Sequence, residues 1–294
     1  MKMTETKTFK RYLLSTFVLA WLLQIGAGIF YQNGRHLFFT ILLLLAMYCP
    51  FLGVLAAKVP LKEIGWRLPL RNKKWLFFLT AWFLPVLLAA LGAILYFAVK
   101  PQAFDATAPY ITSQFSREQL TALEAGGLTP FILAFLTSLS AALFAPFVNM
   151  LLALGEEVGW RGFMHGYLKE KFGLKKGVIY SGLIWGIWHW PIMFFGYEYG
   201  TDYWGYPVVG CLLFLVFTTA FAVLLDWIFA KTGSIWAPSL MHGSVNAAVF
   251  GLYFLKPAFM NDLLFGPLPI GLLGGIPLLT YSIWVYLKYY YKKS

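Results

Sequence analysis

Two adjacent carboxylates and an arginine, Glu156, Glu157 and Arg161, close a long apolar run, and two later apolar runs each carry a histidine, His189 and His242. Carboxylates and imidazoles exchange protons with water near neutral pH, so this set is suited to general acid–base chemistry. Charge at membrane depth is costly and is rarely kept without a task, which makes such a cluster a candidate site. Glu157 and Arg161 stand four apart with the glutamate first, the favourable order for a helical ion pair. Glu156 is turned by about 100° from its neighbour and so lies outside that pairing. His242 and Asn246 also stand four apart and share one helical face. Around the other histidine the chain reads Ile184-Trp185-Gly186-Ile187-Trp188-His189-Trp190-Pro191. There Gly186 permits close helix approach and Pro191 frees a backbone carbonyl beside the histidine.

The elements that must position these groups are apolar helices. The 294 residues are 60% hydrophobic and 12% charged, with a mean hydropathy of +0.70, too apolar for one soluble core. The expected fold is therefore all-α, a polytopic membrane helix bundle. Runs of about 20 residues, enough to cross a hydrocarbon core of roughly 30 Å, fall near 12–31, 37–57, 75–99, 130–156, 177–195, 204–230, 236–255 and 268–287. About eight transmembrane helices result. The first has spanning length, and no small-residue cleavage site stands out near its end. With no fixed-period repeat and no low-complexity linker, the chain reads as a single integral membrane domain, 1–294, with its motif-bearing core at about 130–255.

Lysine and arginine set the expected orientation. Four fall in the N-terminal arm, six in 58–74, five in 161–176, then Lys231, and three at the C-terminus, 19 of the 23 in all. Only Arg35, Lys100, Arg117 and Lys256 fall on the other side, so both termini are expected in the cytoplasm. The net charge of +11 thus belongs to membrane topology, and no nucleic-acid partner is expected because the basic residues flank apolar spans. The partners the composition calls for are the lipid bilayer and whatever the polar cluster acts on. Segment 58–74 reads either as an interfacial piece on the anionic leaflet or as a basic loop. In 102–129, Ser116-Arg117-Glu118-Gln119-Leu120 reads as a short capped helix. Cys49 and Cys211, inside apolar runs, read as buried small hydrophobes, with no disulfide expected.

Under this topology the runs holding His189 and His242 both enter from the cytoplasmic side. At 1.5 Å per residue His189 lies roughly 18 Å in, His242 roughly 9 Å and Asn246 roughly 15 Å. With Glu156 they are expected to line one cavity open to the inner leaflet or cytoplasm. The residues alone leave other readings open: an ion-pair lock between helices for Glu156, Glu157 and Arg161, and interhelical hydrogen bonding for His189, His242 and Asn246. His36 and His165 read as interfacial histidines without a polar partner in register, and Asp226 as a boundary residue.

At these three stretches the chain resembles the CAAX prenyl endopeptidases and bacteriocin-processing membrane proteins, the CPBP (Abi-like) group of intramembrane proteases. That family is marked by paired glutamates followed by arginine, an aromatic residue shortly before a histidine, and a histidine followed four later by asparagine or aspartate. The matching residues are Glu156-Glu157 with Arg161, Trp185 with His189, and His242 with Asn246. Gly159, Trp160, Gly162 and Phe163 extend the first match, as in prokaryotic members. Trp185 departs from the phenylalanine more often found there, and keeps an aromatic ring.

The resemblance covers about 150–250 and implies a protease of eight spans in the plasma membrane of a prokaryote. It implies Glu156 and His189 as the groups that activate water and His242 with Asn246 as the oxyanion site, supported by Glu157, Arg161 and Trp185. The substrate implied is a membrane-associated peptide or protein. No cofactor is favoured. Zinc is the alternative, with Glu156, His189 and His242 as its ligands, although no His-Glu-x-x-His helix occurs. The rivals are a non-catalytic regulator, immunity or scaffold protein that uses the cluster for packing, and a transporter with a proton relay.

Overall fold

A computed structural model describes residues 5–68 and 73–291. Lys2, Leu70, Arg71, Lys292 and Lys293, which enter the basic count or the interfacial reading above, lie outside the described residues. The fold is all-α. The chain opens with α1 (Thr6–Gln32), α2 (His36–Met47), α3 (Cys49–Ala56) and α4 (Trp75–Val99). Short α5 (Pro109–Thr112) and α6 (Arg117–Ala125) precede α7 (Pro130–Leu143) and α8 (Ala145–Gly159). A π-helical turn, Trp160–Met164, leads into α9 (His165–Trp188) and α10 (Trp190–Met193). Then come α11 (Val208–Thr232), α12 (Trp236–Ala247) and α13 (Ile276–Val285).

Among the described residues four helical stretches are long and apolar enough to cross a membrane: α1, α2 with α3, α4 and α11. A fifth is counted if α6 and α7, bent by 91°, make one span. The protein is an integral multi-pass membrane protein. The other expected spans are built from shorter pieces. Helix breaks at Phe144 divide 130–156, and Gly173, with φ 79°, kinks α9. The stretch 236–255 is α-helical only to Ala247, and 268–287 only from Ile276 to Val285 before a second π turn.

Polarity is distributed as a bilayer requires. Leu14, Leu22, Leu37 and Ile94 are exposed at 64–69%, whereas Thr16, Gln24, Glu156, Glu157 and Arg161 are buried. With lipid outside, apolar surface needs no cover and polar groups must find partners inside. Helix α12 is buried along almost its whole length, packed against α8, α4 and α11. Its approach to α8 depends on Gly243, where a Cβ would fall 2.4 Å from the Met150 nitrogen. Gly186 does the same for α9 on α11, where a Cβ would meet Leu215 Cδ2 and Thr218 Oγ1 at 2.5 Å.

Two peripheral readings are resolved. The stretch at Ser116 is a helix with a full capping box between Ser116 and Gln119. The described part of segment 58–74 is docked on protein: Ile64 is fully buried, and Gly65 O accepts a hydrogen bond from Ile235 N at 2.9 Å. Leu68, exposed at 58%, still faces outward. Cys49 and Cys211 are buried and free.

Candidate active site

The end of α8 carries both glutamates, and its helical phase sends them to different partners. Glu156 Oε2 accepts from Trp160 Nε1, one turn on, at 3.2 Å and from Trp185 Nε1 of α9 at 2.8 Å. Glu157 Oε1 accepts from Arg161 Nη1 at 3.1 Å and from His242 Nδ1 of α12 at 2.8 Å. The guanidinium lies 4.6 Å from the centroid of the Trp185 ring, so this tryptophan serves both carboxylate systems: its N–H on Glu156, its face on the cation held by Glu157. Glu156, Glu157 and Arg161 are all at most 2% exposed. Charges so buried must be compensated in place, and each carboxylate accepts two N–H donors.

His189 sits where α9 ends. Its Nδ1 lies 3.0 Å from Trp185 O, and since a carbonyl only accepts, Nδ1 carries a proton there. In the neutral ring Nε2 is then an acceptor. Trp188 and Phe214 pack edge-on against the imidazole at 4.6 and 4.9 Å and fix its plane. The helix break before Pro191 leaves the Trp188 carbonyl to accept from Gln24 Nε2 at 3.0 Å and Trp21 Nε1 at 3.2 Å, which ties α1 to the site.

A cavity of about 410 Å³ is lined by Glu156, Trp185, His189, His242 and Asn246, with Asn149 and Gln24 beside them. All four residues that the sequence singles out for chemistry therefore face one space, while Glu157 and Arg161 stand behind it as supports for His242. Asn246 is exposed to this space, one turn beyond His242 on α12.

The position of that space departs from the depth count. Its lining includes Tyr197, Glu198 and Leu268 to Ile270, at the bundle end that the lysine and arginine count assigns to the outside. The count assumed straight helices of equal entry depth. Breaks at Phe144 and Gly173 and the short α12 remove that assumption.

Two residues were read too weakly. Asp226 is 1% exposed and joins three elements: Lys169 Nζ donates to it at 2.7 Å, Tyr290 Oη at 2.5 Å, and His165 Nε2 stands 3.2 Å away. His165 is thus a buried partner of Asp226 rather than an interfacial histidine. The pairing spans 61 positions between α9 and α11 and leaves no mark at helical spacing. Trp160, by contrast, was findable: it follows Glu156 by four, the same register that relates Arg161 to Glu157. Sequence reading also gave no role to Gln24 or Glu198. Among the described residues no group of three or more His, Cys, Asp and Glu side chains is arranged to hold a metal ion, and Glu156, His189 and His242 do not fit as a zinc ligand set.

Residues 131–248 match the family model described as type II CAAX prenyl endopeptidase, Rce1-like. Among curated proteins the chain is similar to CAAX prenyl protease 2 of Methanococcus maripaludis, 28% identical over 101 residues. That match covers 34% of this chain and 37% of the relative, so it spans little more than a third of the relative's length. The matched stretch holds the glutamate pair, both histidines and Asn246, so the similarity to the Rce1-like CAAX prenyl endopeptidases falls on the candidate site itself.

Proposed function

We propose that this protein is an intramembrane endopeptidase that hydrolyses a peptide bond in a membrane-associated peptide or protein, with Glu156 and His189 activating the attacking water. The observation that carries the reading is the shared cavity, lined by Glu156, His189, His242 and Asn246 together. The two tryptophan N–H groups occupy Glu156 Oε2 and leave Oε1 for water. His189 Nε2, freed by the Nδ1 bond to Trp185, is the second acceptor.

As water oxygen bonds to the scissile carbonyl carbon, its proton passes to this pair and the carbonyl electrons move to oxygen. Asn246 Nδ2 is the donor assigned to that oxyanion, joined by His242 Nε2 when the ring carries a proton on both nitrogens, since its Nδ1–H is already given to Glu157; in soluble enzymes loss of one such donor costs ~3 to 4 kcal/mol of barrier. Collapse of the intermediate breaks the C–N bond, and the stored proton leaves with the amine. Glu157 and Arg161 fix His242, so the oxyanion site is set before substrate arrives.

Both termini are placed in the cytoplasm by the basic-residue distribution, the bundle is read as eight spans including its broken ones, and the membrane as the plasma membrane of a prokaryote. CAAX prenyl protease 2 acts, by its name, on prenylated CAAX proteins, and a lipidated peptide is the first substrate to offer this protein. The test is purified protein in vesicles with a panel of membrane-anchored peptides, products read by mass spectrometry. One defined cut, lost in Asn246→Ala and in Glu156→Gln, is expected. Folded protein that cuts none of the panel would return the cluster to a packing role, the reading as a regulator or scaffold.

A further inference from the structure

The cavity holds a second carboxylate that the proposed hydrolysis does not use. Glu198, from the segment between α10 and α11, lines it together with Glu156. Its backbone is unusual: φ is +75°, and Tyr199 N bonds Tyr197 O at 3.1 Å, which makes Glu198 the centre of a γ-turn. A non-glycine residue held in that region is strained, and such strain persists only where the surroundings enforce it. They do here. Tyr199 Oη donates to Ile270 O at 2.7 Å, Tyr206 Oη to Phe194 O at 2.7 Å, and Gly200 N to Gly196 O at 2.9 Å. Tyr197 packs against Phe39 of α2 with ring centroids 5.8 Å apart. The turn is thus preorganised, and glycine would fit it at less cost than glutamate.

No hydrogen bond or ion pair holds the Glu198 carboxylate among the described residues. Among the described residues the cavity wall carries two carboxylates and two histidines and no lysine or arginine, so its potential favours a cation. Resting on the endopeptidase reading, we propose that Glu198 is the acidic subsite of this cavity and selects substrates with a lysine or arginine near the scissile bond. It is a specificity residue: it forms a charge-assisted hydrogen bond with the substrate side chain while Glu156 and His189 handle the water.

The experiment uses the full chain in phosphatidylcholine vesicles and one membrane-anchored peptide series, with lysine, glutamine or glutamate at each position flanking the cleaved bond in turn. At one position kcat/KM for lysine is expected to exceed that for glutamine by about tenfold. Glu198→Gln should bring this ratio close to one. Glu198→Arg should reverse the order in favour of glutamate, a reversal that a misfolded turn cannot produce. A parent protein without charge preference, or a preference that survives both variants, overturns the assignment and leaves the endopeptidase standing. Binding of the same peptides in a Glu156→Gln background, read by fluorescence anisotropy, separates the two claims. Lysine-selective binding that Glu198→Gln removes, alongside a folded parent protein that cleaves no peptide of the series, supports the subsite and sinks the protease; cleavage by the parent with unselective binding does the opposite.

Discussion

Glu157 and Asp226 make similar clusters from similar residues. Each is a buried carboxylate that holds a histidine and a cation: His242 and Arg161 in one case, His165 and Lys169 in the other. They differ in what lies on the far side of the histidine. His242 faces the cavity, with Asn246, Glu156 and His189 around the same space. His165 is 1% exposed and lines neither that cavity nor the apolar groove between α9, α11 and α13. The second cluster also takes a hydroxyl, from Tyr290, where the first takes none among the described residues. Buried charge therefore occurs in two settings in one bundle, and the neighbouring void distinguishes them better than residue type does.

The sharpest way to break this contrast is to disable one group in each region by the same chemical change. Glu156→Gln keeps size and polarity but cannot take a proton, so cleavage should fall by about a thousandfold with Tm unchanged. Asp226→Asn should act the other way. It leaves His165 and Lys169 without their counter-charge and should destabilise the fold by about 3 kcal/mol, read as a lower Tm in detergent, while the folded fraction still cleaves. If Asp226→Asn instead cut turnover a hundredfold at full stability, the second cluster would belong to the site.

Glu157→Gln should fall between these, because Glu157 belongs to both kinds of region. It supports a cation with no other ion-pair partner among the described residues, and it also orients His242. Loss of about 2 kcal/mol in stability together with about tenfold in kcat, at little change in KM, is expected. A loss in Tm alone would place His242 outside the chemistry. The smallest effect should come from Tyr290→Phe, which deletes one hydrogen bond to Asp226 and should cost about 1 kcal/mol with no change in kcat/KM.

The part of this comparison that was legible in sequence is the part written at helical spacing. Glu157 with Arg161 and His242 with Asn246 are local relations, and Glu156 was separable from Glu157 by angle alone. That His242 bonds to Glu157 was not legible, since 85 positions and the α8–α12 contact intervene. Nor was Asp226 with His165 and Tyr290. Membrane character follows from composition, and the all-α class from continuous apolar runs of about 20 residues, because lipid admits only helices and closed barrels and a barrel strand would be shorter and alternate in polarity. Hydropathy does not register the breaks at Tyr48, Phe144 and Gly173, since a run stays apolar when its helix bends.

The π turn at Trp160–Met164 joins the two clusters along one continuous run of helix. Glu157 belongs to the α8 end, Arg161 to the turn itself, and His165 and Lys169 to the start of α9. An α-helix advances about 100° per residue, so the phase at which α9 leaves this turn decides whether His165 and Lys169 reach Asp226. Removing one residue from 160–164 would let the turn tighten and would rotate everything after it by roughly that angle. His165 would swing off α11, and Trp185 would leave the two carboxylate systems it now joins. The wide turn acts as a phase adapter, and a one-residue change in chain length there is a larger perturbation than any single side chain named above.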